Sequence, residues 1–203
     1  MSPFGEILDR FRQASGTMAA ALVDREGETV DFTTDGAPFD VLVAAAEWQI
    51  VMGQVRVMGR PSLPVSTELF VRARRRSYAV FWIDEGYSLV CVLKRHGFEV
   101  SRRATLVAVR EIVAEAGWPE RPSAHRASGT PERWARVEVH VQDNASRRPT
   151  AICMEGTWQQ LNIIGRYTAD LLARGEQAYR AQLDSGAELT LVREPLGAWY
   201  ADV

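Results

Sequence analysis

Asp24, Glu26 and Glu28 place three carboxylates in a short span beside Gly27. Grouped acids can ligate a hard cation or share a proton in general acid–base work. Three of them fall short of a calcium loop, which needs about six to eight oxygen ligands. They also lie between two apolar runs, in AAALVDREGETVDFTT, where Asp and Gly are turn formers. The expected role is therefore a hairpin bend with Glu26 and Glu28 in solvent. The other candidates fare no better. His96, His125 and His140 are scattered, and none has a second His or Cys at metal-ligand spacing. Asp84–Glu85 reads as a second hairpin turn. Glu68 sits on a strand and reads as an ordinary rim charge. There is no glycine-rich loop ending in Gly-Lys-Ser/Thr and no nucleophile elbow. No cofactor and no metal are expected, and the chain reads as non-enzymatic. The densest charge cluster is Arg72, Arg74, Arg75 and Arg76, a solvated strand end or a contact for an acidic partner surface.

Composition narrows the classes. Of 203 residues, 46% are hydrophobic and 25% charged, as in ordinary globular proteins. A net charge of −2 and a pI near 6.0 do not fit a generic nucleic-acid binder, so nucleic acid is not an expected partner. No apolar run approaches the roughly 20 residues of a membrane span, and no membrane partner is expected. The start, MSPFGEILDRFRQ, carries charges where a signal peptide is apolar. Cys91 and Cys153 lie in separate strand-like runs and read as reduced thiols. A cytoplasmic location is expected.

Residues 118–132 are rich in Pro, Ser, Gly and Arg without apolar period, and read as a linker between domains at 1–117 and 133–203. The first domain opens with a helix, capped by Ser2 and striped by Phe4, Ile7, Leu8 and Phe11. Two strands, Thr17–Val23 and Glu28–Thr33, precede a long helix from Pro38 to Met58. Strands follow over Val65–Ala73, Ser77–Ile83 and Tyr87–Leu93, and a helix over Ser101–Ala116 ends the domain. The runs YAVFWI and YSLVCVL are almost continuously apolar, as in strands covered on both faces. The expected packing is α+β: a five-stranded antiparallel sheet with the long helix on one face and the terminal helices on the other.

The long helix is apolar on two sides. Phe39, Leu42, Val43, Ala46, Ile50, Gly53 and Val57 share one. Val41, Ala45, Trp48, Met52 and Val55 share the opposite one. A helix covering a sheet needs only one apolar face. The second is a subunit interface or is covered by other parts of the chain.

The first hairpin SGTMAAALVDREGETVDF, the long helix, the hairpin YAVFWIDEGYSLVCVL and the closing RRATLVAVREIVAEAG together resemble the dynein light-chain roadblock family. That family includes bacterial regulators of small Ras-like GTPases, and the likeness spans about residues 2–117. It implies a profilin-like fold and a homodimer, with third strands paired edge to edge and long helices packed together. Carried onto this chain, the interface would comprise Val41, Ala45, Trp48, Met52 and Val55 of the helix and Val65, Thr67, Leu69 and Val71 of the edge strand. The implied partner is a small GTPase, bound without hydrolysis by this chain.

The second domain alternates cleanly in RWARVEVHVQ, with Val137, Val139 and Val141 on one face. TAICME, TWQQLNIIGRY, QAYRAQL, AELTLVRE and AWYADV follow, separated by short turns. Five or six short strands form a small barrel-like β domain. Trp158, Tyr179, Trp199 and Tyr200 fill its core or form an aromatic surface near Arg147, Arg148 and Arg166. Two functional readings follow. One is a homodimeric scaffold or regulator of a small GTPase. The alternative is an adaptor whose barrel binds peptide or nucleic acid while the first domain only dimerises.

Overall fold

The computed structural model describes residues 2–58, 67–83, 86–95, 97, 99–119, 134–143, 147–167, 172 and 175–202. The chain divides into two compact units, Met1–Arg121 and Pro122–Val203.

Helix α1 (Pro3–Ser15) starts where Ser2 accepts the Gly5 N–H and stops at Gly16, whose φ of 69° suits glycine. Strands β1 (Ala19–Val23) and β2 (Thr29–Thr34) form the first hairpin. Helix α2 (Pro38–Met58) follows, then β3 (Glu68–Arg72), β4 (Ser77–Trp82) and β5 (Ser88–Leu93). Helix α3 (Arg102–Glu115) begins where Ser101 accepts the Ala104 N–H. The sheet order is β2-β1-β5-β4-β3, antiparallel throughout. The order puts β1 and β5 at the centre, and every residue of both is buried. Ala20, Leu22, Leu89 and Cys91 face α1 and α3 through Leu8, Phe11 and Ile112. Ala19, Ala21, Val23, Val90 and Val92 face α2. Cys91 is wholly enclosed, and burial pushes its thiol far above the ordinary range. Trp118, placed in the linker above, packs on Tyr87 at 4.4 Å between ring centroids, so the first unit extends past residue 117.

The acidic bend is a turn. Asp24 Oδ1 accepts the N–H groups of Glu26 at 3.0 Å and Glu28 at 2.9 Å. Gly27, at φ 88°, takes the left-handed position that closes the hairpin. Arg25 pairs with Glu26. No group of three or more potential metal ligands occurs among the described residues.

The second unit is a closed six-stranded antiparallel barrel. Its strands are β6 (Trp134–Val141), β7 (Pro149–Met154), β8 (Thr157–Tyr167), β9 (Gln177–Leu183), β10 (Glu188–Arg193) and β11 (Trp199–Asp202), and β11 closes on β6. Closure removes free sheet edges. Ile152, Tyr179, Ala181, Leu191, Trp199 and Ala201 fill the interior with Val137 and Val139. Val141 departs from the expected alternation: the register slips between His140 and Val141, and Val141 is exposed.

Removing the turn acceptor in Asp24→Ala should cost about 1–2 kcal/mol of stability, seen as a lowered denaturant midpoint that added calcium does not restore. A second carboxylate ties α1 to β2. Asp9 takes hydrogen bonds from Arg12 and Thr33, and Arg12 also pairs with Asp35. The Arg12 guanidinium, with Thr33, lowers the Asp9 pKa below its ordinary 3.8. A lowered carboxyl pKa contributes stability that is present above the ordinary value and lost as pH falls through the lowered one. Arg12→Met should therefore move the acid unfolding limb to higher pH.

Candidate functional site: the outer face of the long helix and the free edge of the sheet

Helix α2 lies on the face of the sheet opposite α1 and α3, and the structure decides which of its two apolar sides packs inward. Val41, Ala45 and Met52 are fully buried against Ala19, Ala21, Val80, Val90 and Val92. Trp48 packs on Tyr78 at 5.2 Å. Val55 is half-buried, and neighbouring Arg56 caps the ring of Trp82 at 4.0 Å. The expectation that Val41, Ala45, Trp48, Met52 and Val55 form a free face is thus corrected: this side is the intrachain core. The centre of the sheet below it is lined by alanines and valines, with Phe32, Leu69, Tyr78 and Trp82 partly buried around them, and Trp48 and Met52 pack onto this face.

The free side is the other one. Phe39 is 74% exposed, Val43 39%, Ile50 53% and Val57 86%. With Ala46 and Gly53 they recur at spacings of four, three, four, three and four residues, the 3.5-residue period of a helix–helix seam. Gly53 leaves a low point in the ridge where a second helix can approach closely, whereas Ala46 is partly buried beside the turn at Gly27. A Cβ added at Gly53 would meet no atom within 4 Å. Beside the seam lies a shallow cleft of about 380 Å³ lined by Arg25, Gln49, Ile50, Gly53, Gln54 and Val57. Gln49 is buried and donates from Nε2 to the Gly86 carbonyl at 2.7 Å. Its Oε1 has no hydrogen-bond partner among the described residues.

Strand β3 is the sheet's outer edge beyond β4. Its side chains alternate. Leu69 packs toward the α2 side, and Phe70 meets Phe81 edge-on at 5.9 Å on the other. Val71 is half-buried and Thr67 exposed. Val65 lies outside the described residues. Of the basic run, Arg72, Arg74 and Arg75 are exposed, whereas Arg76 pairs with Asp40 at the start of α2 at 3.2 Å. Arg76 is therefore engaged within the chain. In the barrel, Tyr179, Trp199 and Tyr200 are buried, and Trp158 lies outside, stacked on His140 at 3.8 Å.

The geometry defines a roadblock-like α+β unit joined to a closed β-barrel. No family model and no curated sequence matches the chain. Among solved structures, the chain is similar to MglB of Myxococcus xanthus, with 16% identity over 58% of this chain and 97% of that one, at a TM-score of 0.47. It is also similar to the gliding protein MglB of Thermus thermophilus, with 18% identity over 57% and 89% and a TM-score of 0.44. A Roadblock/LC7 domain from Streptomyces avermitilis matches at 14% identity over 55% and 96%, with a TM-score of 0.43. None of these matches covers the whole chain. No described helix is long and apolar enough to cross a membrane.

Trp48 and Ile50 are two residues apart and face opposite ways. Trp48→Glu should destabilise the fold by on the order of 3 kcal/mol, because it removes core packing. Ile50→Glu should leave the circular dichroism of the folded chain intact. Urea titration of the two variants distinguishes the faces.

Proposed function

We propose that the chain is a non-catalytic homodimeric interaction protein, whose outer α2 face and β3 edge meet a second copy. The observation that carries this reading is the seam of exposed Phe39, Val43, Ile50 and Val57, with partly buried Ala46 and Gly53 between them. Full burial of a large apolar side chain is worth about 1.5–3 kcal/mol. A two-fold contact buries the set on both copies. The gain is then of the same scale as the rigid-body freedom lost on association, about 4–15 kcal/mol. Among the described residues no strand pairs with the outer edge of β3, and this supports the same reading, since a second strand there would satisfy its backbone groups. The resemblance of residues 2–117 to roadblock domains adds the partner class, a small Ras-like GTPase held by the dimer.

Light scattering on the full chain should give twice the chain mass, and Ile50→Glu should reduce it to a monomer that remains folded. A variant that stays dimeric would place the contact off α2. Gly53→Ala separates helix strength from helix approach. In a lone helix it should stabilise by about 0.5–1 kcal/mol. Weaker association despite that gain would locate the partner helix directly over residue 53. A pull-down with a purified Ras-like GTPase in its GDP and GTP forms tests the partner. Equal absence of binding in both forms would remove the GTPase from the proposal and leave the dimer standing.

A further inference from the structure

The mouth of the barrel carries a cleft of about 370 Å³, lined by Gln142, Arg148, Ile163, Gly165, Arg166 and Tyr179. Along β8 the early residues alternate in the ordinary way. Leu161 pairs with Leu183 and Ile163 with Ala181, both toward the interior, while Asn162 pairs with Gln182 on the outside. Continued alternation would send residue 165 inward and Arg166 outward. The register instead shifts by one residue between Ile163 and Gly165. After the shift Gly165 lies opposite exposed Arg180, and Arg166 lies opposite buried Tyr179. Directly paired residues share a face of the sheet. The bulge therefore sets Arg166, which stays exposed to solvent, on the Tyr179 side of the sheet where it lines the cleft at the open end of the barrel.

A second guanidinium is held at the same mouth. Arg148 follows Arg147, whose φ of 43° is left-handed in a residue with a side chain. Arg148 Nη2 donates to the Ile163 carbonyl at 3.0 Å, which anchors one edge of its fork beside the cleft. Arg166 forms no ion pair among the described residues. Among the described residues no acidic one lines the cleft. Two guanidiniums around one opening suit a dianion with several acceptor oxygens better than a single carboxylate. Ile163 and the Tyr179 ring supply an apolar wall beside it. The volume falls within the range of small-molecule sites.

We propose that the barrel mouth binds a small molecule bearing a phosphomonoester, with Arg166 and Arg148 on the phosphate and the apolar body against Ile163 and Tyr179. A phosphomonoester carries about −1.5 to −2 charges near pH 7. This site is independent of the dimer reading.

The test is a titration of the ¹⁵N-labelled full chain with phenyl phosphate, and in parallel with benzoate at matched ionic strength. Saturable amide shifts at Gln142, Gly165 and Arg166 are expected with phenyl phosphate. Benzoate, with the same ring but one charge, should bind about tenfold more weakly, the loss expected for one charge-assisted hydrogen bond. Arg166→Gln should weaken phenyl phosphate by about tenfold or more on the same grounds. Arg180→Gln should leave it unchanged, because Arg180 pairs with Glu188 on the outer wall. If Arg166→Gln loses the dispersed spectrum of the folded chain, Arg148→Gln carries the same comparison. Shifts that fail to saturate, equal binding of benzoate, or undiminished binding by the folded arginine variant would each overturn the proposal.

Discussion

The first unit depends on one steric choice: a helix with two apolar sides lies on a sheet that can cover only one of them. The buried centre of the sheet face below α2 is built from Ala19, Ala21, Val23, Val80, Val90 and Val92, with Phe32, Leu69, Tyr78 and Trp82 partly buried around it. Short side chains leave depth, and Trp48 and Met52 fill it. Close packing favours filling that depth with Trp48 and Met52, since voids there would forfeit dispersion contacts. The other side then has to face outward with Phe39, Ile50 and Val57. Burial of one face thus leaves the large apolar residues of the other side exposed. Gln49 marks the boundary between the two sides. It anchors α2 to the Gly86 carbonyl and lines the cleft beside the seam.

The barrel solves a different problem. Its short strands would be poor sheet edges, and closure of β11 on β6 pairs them all. Strict alternation along each strand would then make a plain packed core and a polar exterior. Two slips break that rule, one at His140/Val141 and one at Ile163/Gly165. Both affect strands that lead into the mouth cleft. A side-chain period of two means that a single inserted residue reverses every position after it. One bulge is consequently enough to place exposed Arg166 opposite Tyr179 at the lip of the cleft without altering the composition of the strand.

The acidic cluster near the start of the chain shows how far residue types alone can mislead. Asp24, Glu26 and Glu28 have the composition of a cation site, yet Asp24 commits one oxygen to two backbone N–H groups. The same loop closes the first hairpin and brings Gly27 against Ala46 of α2. Its role within the fold is a matter of register, because a tight turn sets which residues of β1 and β2 oppose each other.

Much of the architecture was legible in the chain itself. Caps at Ser2 and Ser101, the apolar runs of β4 and β5, and the short turns between β strands are local signals, each depending on a few neighbouring residues. The five-stranded layer and the barrel follow from those signals and from the need to bury apolar faces. What the residues alone left undecided was the orientation of α2. Periodicity reports that apolar residues recur at a helical angle and is indifferent to which of two such angles meets the sheet. The pairing of Arg166 with Tyr179 at the cleft was equally hidden, since a bulge is a mismatch between two strands and neither strand carries it alone. Both outcomes depend on contacts between segments distant in sequence, and only the assembled tertiary structure supplies those contacts.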